Sequence, residues 1–408
     1  MKKQLTLIVA AGMALTAGAA TKTLEITVAN QLPDAIESYP VVVPVDVKAL
    51  GFNPSAAVAT VKGTIIPSQL DDIDLDGVVD EISLTVSLPA RGKTVVKLAL
   101  DSEGSQETFP IGTHAYIKLR DEKKKYPKIV SIAFPGDADT RIMYNSIYGH
   151  GAVMENPYNA IRIYMDNRQS IDLYGKNRPG MELETTGFYT TQEQLAQGYG
   201  RDILWAGKSV GAGSFRGFIG DEPTTIDTVT VRGQRVVLSG PVRSVVEVTD
   251  EGWIYNGRRF NMTQRYTMWQ GRRDVQVDIN ITGEGVDSQT FCAGIQKLET
   301  DNVGFLDAAT GLAGSWGVNV PEKKYEDQTE VVGLGIIPDA ANLASTREDE
   351  FNYLDMLKTD TEGAISYRVN FAAGREEGGF STSTEWFDYL RRWAAEAANP
   401  ATVTVKIK

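Results

Sequence analysis

The sequence predicts an all-β protein, mainly a large β-sandwich with one helix near its end. Short segments that alternate apolar and polar residues recur along the chain, which is the period of a half-buried strand. Turn-forming residues separate them, with 39 glycines and 16 prolines spread through 408 residues. Helical periodicity is confined to two stretches, and no heptad, solenoid period or low-complexity tract interrupts the pattern.

The chain opens with Lys2 and Lys3, runs through an apolar stretch from Leu5 to Ala17 and reaches the small residues Gly18, Ala19 and Ala20. That layout predicts a cleaved signal peptide over 1–20. The apolar stretch is short for a bilayer span and no later segment offers a membrane anchor, so a soluble protein exported to the periplasm or beyond is expected. The single cysteine, Cys292, rules out an internal disulfide, so stability must come from burial. A net charge of -12, more negative once Lys2 and Lys3 are removed, disfavours nucleic acid and anionic membranes as partners. An acidic ligand would need a locally cationic pocket.

Thr23 to Ala29 (TLEITVA), Val41 to Val47 (VVVPVDV), Ala57 to Ile66 and Ile82 to Leu88 (ISLTVSL) form an N-terminal β-sandwich region over 22–101. The polar run Asp101 to Glu107 (DSEGSQE) marks a soft boundary, and a large β-sandwich over 110–408 follows. Its strand-like runs are His114 to Leu119, Ala160 to Met165, Val229 to Leu238, Val242 to Val248, Phe260 to Trp269 and Val275 to Ile281. Thr191 to Gln197 predicts two helical turns, and Thr384 to Ala397 an amphipathic helix capped by Ser383 or Thr384. Thr402 to Ile407 (TVTVKI) alternates again and adds a last strand.

Candidate chemistry concentrates in the middle third. Only two histidines are present, His114 and His150, and histidine alone has an unperturbed pKa near neutral. His114 sits in a strand-like alternation, where a structural role is the simpler reading. His150 lies between Gly149 and Gly151, which permit close backbone approach. After it come Glu155, Arg162, Tyr164, Asp166, Asp172, Tyr174 and Lys176. Strand alternation places Ile161, Ile163 and Met165 on one face and Arg162, Tyr164 and Asp166 on the other. The plain alternative is a solvated sheet face with cross-strand ion pairs. Tyr199, Asp202 and Trp205 follow among glycines, offering a flat ring to stack on and rigid hydrogen-bonding groups, although Trp205 suits the core equally well. Trp269 is expected in the core.

Asp72, Asp74, Asp76 and Asp80 (DIDLDGVVD) have a spacing that suits a structural calcium ion, although the twelve-residue helix-loop-helix pattern is incomplete because its last position falls on Ser83. Otherwise they form an acidic hairpin tip. Phosphate-loop, dinucleotide, zinc-cluster and nucleophile-elbow motifs are missing from the sequence, and no cofactor is required.

The segments HGAVMENPYNAIRIYMDNRQSIDLYGK, GFYTTQEQLAQGYGRDIL, SGPVRSVVEV, RYTMWQGRRDVQVD and STSTEWFDYLRRW, with PSQLDDIDLDGVVDE near the start, resemble a secreted domain-of-unknown-function family of polysaccharide-degrading Gram-negative bacteria. That family includes an ulvan oligosaccharide dehydratase. The resemblance implies a supersandwich of the kind shared with polysaccharide lyases and epimerases, and a hydro-lyase that removes water from a terminal uronic acid of an acidic oligosaccharide. Such chemistry needs a base, an acid and a cation or donor set. His150, Arg162, Tyr164, Tyr174 and Lys176 are the catalytic candidates, with Glu155, Asp166, Asp172, Tyr199, Asp202 and Trp205 as substrate-binding candidates. The competing expectation is a non-catalytic glycan-binding β-sandwich using the same surface.

Overall fold

A computed structural model describes residues 19–120, 128–321 and 328–407. The expected signal peptide lies outside them, apart from residues 19 and 20. The protein is built of strands, as the alternation predicts. The first part is a two-sheet sandwich. Five strands in the order Thr402–Ile407, Thr21–Ala29, Lys93–Asp101, Ala56–Val61 and Thr64–Ile66 face three in the order Ile36–Pro44, Glu81–Leu88 and Ser68–Asp71. Leu24, Ile26, Val28, Val41, Val43, Ile82, Leu84, Val96 and Leu98 close the core between them. The run Ala57 to Ile66 is a hairpin rather than one strand, turning at Lys62 (φ 51°) and Gly63 (φ 87°). The closing strand pairs antiparallel with the first, Leu24 opposite Ile407. A segment assigned by sequence to the second region therefore completes the sheet of the first.

The larger part is a second sandwich. Nine antiparallel strands, from Ser131–Pro135 through Arg243–Tyr255 and Arg258–Trp269 to Thr300–Leu306, form one layer. A six-stranded and a five-stranded sheet form the other. One continuous core lies between the layers, with Val246, Val248, Tyr266, Met268, Val275 and Val277 meeting Ile161, Ile163, Ile171, Leu173, Phe291 and Ile295. Trp269 is buried, as expected. The amphipathic helix Ser383–Ala398 covers part of the outer face of the nine-stranded sheet through Trp386, Phe387, Leu390 and Trp393. Its N-cap is Thr382, whose hydroxyl accepts from the Glu385 amide, rather than Ser383 or Thr384. A Cβ on Gly333 or Gly335 would approach the Trp386 or Leu390 side chain to 2.9 or 2.4 Å, so these strand glycines let the helix settle on the sheet. The shorter helical segment is Gln192–Ala196, closed at its start by a Thr191–Gln194 capping box. No helix among the described residues is long and apolar enough to cross a membrane.

The sandwiches are fastened by buried polar contacts. The Gln69 side chain donates to the Arg243 carbonyl and accepts from the amides of Val242 and Arg243. The Arg243 guanidinium pairs with Asp71 at 2.8 Å and also with Glu81.

Candidate active site

In the strand Asn159–Tyr164, Ile161 and Ile163 enter the core, so alternation turns Arg162 and Tyr164 to the opposite face. Asp172 on Ile171–Gly175 stands directly opposite Arg162, and Asp202 on the next strand stands opposite Tyr174. Three neighbouring strands thus bring Arg162, Asp172 and Asp202 together. The Arg162 Nε donates to Asp172 Oδ2 at 2.7 Å, Nη2 to Asp202 Oδ2 at 2.9 Å and Nη1 to the Tyr189 hydroxyl at 3.1 Å. Its guanidinium also lies over the rings of Tyr164, Phe188 and Tyr189. Of the alternative expectation, a solvated sheet face with cross-strand ion pairs, the ion pairs are present but the solvation is not. Arg162 is 4 % exposed, and Asp166, Asp172, Glu155 and Lys176 are buried too.

His150 reaches the same place through its backbone. A Cβ at Gly151 would fall 1.8 Å from the Ile163 carbonyl oxygen, so glycine is needed where the turn crosses the neighbouring strand. Gly149 and His150 both take left-handed conformations, φ 72° and 69°, and His150 accepts from the Met165 amide at 2.9 Å. A non-glycine residue in that region is uncommon and collects at functional sites. The turn stacks the imidazole on Tyr164 with centroids 5.7 Å apart and sets it edge-on to Tyr189. Burial first, then the Arg162 and Arg120 charges, lower its pKa to about 4, against the smaller pull of Asp166 and Asp172. Burial, then Asp172, pushes the Tyr164 phenol well above its usual range. Around neutral pH the imidazole is an uncharged proton acceptor and the phenol a proton donor.

These groups line an open cleft of about 480 Å³, with Phe188, Tyr189, Thr190 and Gln192 on one wall and Arg201, Asp202, Trp205 and Gln328 on the other. Of the sequence candidates, His150, Arg162, Tyr164, Asp172, Asp202 and Trp205 come together here. Glu155, Tyr174 and Lys176 form a buried support behind the wall instead. The Lys176 ammonium donates to Glu155 Oε1 and the Asn156 carbonyl, both at 2.7 Å, and to the Gly180 carbonyl. Glu155 in turn accepts from the amides of Glu182 and Leu183. The Tyr174 hydroxyl donates to Glu182 at 3.0 Å, and Glu182 accepts from the Gly200 amide at 2.9 Å. This network pins both ends of the segment that carries Phe188 and Tyr189. Asp166 is buried in a turn, accepting from Arg168 and Gln169, and Tyr199 is half-buried at the end of the wall segment without lining the cleft. Sequence reasoning singled out neither Tyr189 nor Gln328. The available signal for Tyr189 was the aromatic pair after Gly187 in GFYTTQ.

His114 lies on the strand His114–Lys118, with Nε2 2.8 Å from Glu184 and Nδ1 3.1 Å from Ser239. In the acidic loop, ligand atoms of Asp72, Asp74 and Asp80 lie within 4.8 Å of one another, and Asp76 is outside that group. Asp72 already accepts from the amides of Leu75, Asp76 and Gly77, which shapes the loop as a self-capped turn.

The sequence family described as "Domain of unknown function (DUF4861)" matches residues 28–403. None of the curated proteins compared matches the sequence. Similar solved structures include a glycosyl hydrolase family 38 protein from Enterococcus faecalis, 11 % identical with a TM-score of 0.48 over 94 % of this chain and 47 % of that one. An alpha-mannosidase from Enterococcus faecalis V583 is 12 % identical with a TM-score of 0.46 over 94 % and 46 % of the two chains. The chain spans about half the length of each.

Proposed function

We propose, for a chain that belongs to the domain-of-unknown-function family DUF4861, that the cleft processes carbohydrate and that its reaction is elimination of water from a terminal uronic acid of an acidic oligosaccharide. One observation carries this reading: an imidazole that stays neutral at ordinary pH is stacked on a protonated phenol in an open, aromatic-walled cleft. His150 takes the proton on the carbon next to the carboxylate. The electrons of that C–H bond form the new double bond as the neighbouring C–O bond breaks, and Tyr164 gives its proton to the departing hydroxyl. Water leaves, an unsaturated uronic acid remains, and proton return from His150 to the phenolate through solvent resets the site.

Arg162 is a positioning residue in this scheme. Two carboxylates already neutralise it, so it orients Tyr189 and, through Asp172, Tyr164. The substrate carboxylate is assigned to Arg201, which faces the cleft, donates to the neutral Gln328 amide at 2.6 Å and lies 3.6 Å from Glu330. Incubation with uronic-acid oligosaccharides tests the reading, through growth of ultraviolet absorbance and loss of one water from the product mass. Binding without either change would leave a glycan-binding sandwich, and neither binding nor product would overturn the carbohydrate reading.

A further inference from the structure

The chain has six tryptophans. Trp253, Trp269, Trp316, Trp386 and Trp393 are buried, whereas Trp205 is 46 % exposed at the cleft. A single exposed aromatic is ordinary on a protein surface, but the support under this one is not. Asn319 is fully buried on the nine-stranded sheet. Its carbonyl oxygen accepts from the Trp205 amide at 2.7 Å, and its amide nitrogen donates back to the Trp205 carbonyl at 3.4 Å. Gln296, 2 % exposed on the five-stranded sheet, donates to the same carbonyl at 3.1 Å. Two buried amides, one from each layer of the sandwich, therefore fix the backbone of a residue whose ring is left to solvent. Buried amides need partners, and here the partner is the main chain that carries an exposed indole. With the backbone ordered beforehand, a ligand that stacks on the indole has only the side-chain torsions left to fix.

We propose that Trp205 is the stacking platform for a second sugar ring, so that the cleft selects a disaccharide or longer chain over a free monosaccharide. The proposal rests on the carbohydrate reading and adds substrate length to it. The reacting ring sits at His150 and Tyr164, and the adjoining ring lays its apolar face on the indole. A cleft of about 480 Å³ lies in the range that encloses ligands larger than one hexose.

Calorimetric titration tests this on the His150→Ala protein, where turnover is expected to be about a hundredfold slower or more, with glucuronic acid and with a disaccharide carrying glucuronic acid at its non-reducing end. The disaccharide should bind about tenfold tighter or better, on the scale of one aromatic stacking contact. Adding Trp205→Ala should remove that increment and leave monosaccharide affinity within about twofold, while Trp205→Phe should keep most of it. In the wild-type protein the disaccharide, and not the monosaccharide, should shift the indole emission. An increment that survives Trp205→Ala, in a variant with an unchanged unfolding midpoint, overturns the platform and leaves the carbohydrate reading standing. A folded protein that binds neither sugar and forms no unsaturated product overturns both.

Discussion

His150 offers the sharpest test, because its depressed pKa has a measurable cost. The unfolded chain takes up a proton on this imidazole near pH 6.5, the folded protein only near pH 4. Acidification between those values favours the unfolded state, so this contribution to stability is fully present above pH 6.5, shrinks as pH falls and is gone below about 4. At about 1.36 kcal/mol per pH unit, the gap is worth about 3 kcal/mol at most. His150 is only half-buried, so screening reduces that to about 1–2 kcal/mol. Urea unfolding of the wild-type and His150→Gln proteins from pH 4 to 7.5 isolates the effect, because carboxylates common to both cancel. The wild-type protein should lose about 1–2 kcal/mol more than the variant across that range. With two histidines in the chain, NMR titration gives the pKa directly once His114→Gln assigns the second resonance. Equal slopes for both proteins, or an imidazole that titrates at 6.5 or above, would refute the reasoning.

His150→Ala should lower turnover of a uronic-acid oligosaccharide by about a hundredfold or more, read from initial rates per folded molecule; an unchanged rate removes it from the proton path. Lys176→Met strands the Glu155 carboxylate in the interior and should cost about 3–5 kcal/mol in urea unfolding, part of it recovered by adding Glu155→Gln. Asp355 is buried, neither carboxylate oxygen has a hydrogen-bond partner among the described residues, and burial holds its pKa well above the usual carboxylate range. The folded protein keeps a proton that the unfolded chain releases above about pH 4, so stability falls as pH rises past that point. Asp355→Leu should therefore stabilise by about 1–3 kcal/mol at pH 7.5 and by less at pH 5, measured as unfolding free energies. Asp72→Ala removes the acceptor for three loop amides and should cost about 1–2 kcal/mol in chelator; an unchanged midpoint would show that the loop closes without it.

The parts of the fold that were legible are those with two unlike faces. NAIRIYM announces its strand and puts Arg162 and Tyr164 on the face that lines the cleft, because Ile161 and Ile163 have only the core to enter. Gly151–Glu155, Phe291–Gln296 and Asn352–Leu357 are buried on both faces too, but they carry no regular exchange of apolar and polar residues, so the sequence does not announce them. The division of labour among the polar residues was equally hidden. Lys176, Tyr174 and Glu155 have the right chemistry for a site, but the segment after Lys176 folds back over them and turns them into its foundation. That same folding brings Tyr189 to His150, a contact between loop residues that no periodicity encodes.

The outermost strand, Thr402–Ile407, has a consequence for how the molecule is assembled and how it comes apart. Its Val403, Val405 and Ile407 share a face with the buried Val28, Ile26 and Leu24, yet they are 40, 43 and 63 % exposed, because the opposing sheet does not reach beneath them. The strand is held more by its backbone ladder than by desolvation, and contacts of that kind open first. It also follows its partner by most of the described chain, so the first strand keeps an open edge until it arrives. The seam between these two strands thus closes late and should exchange its amide hydrogens early.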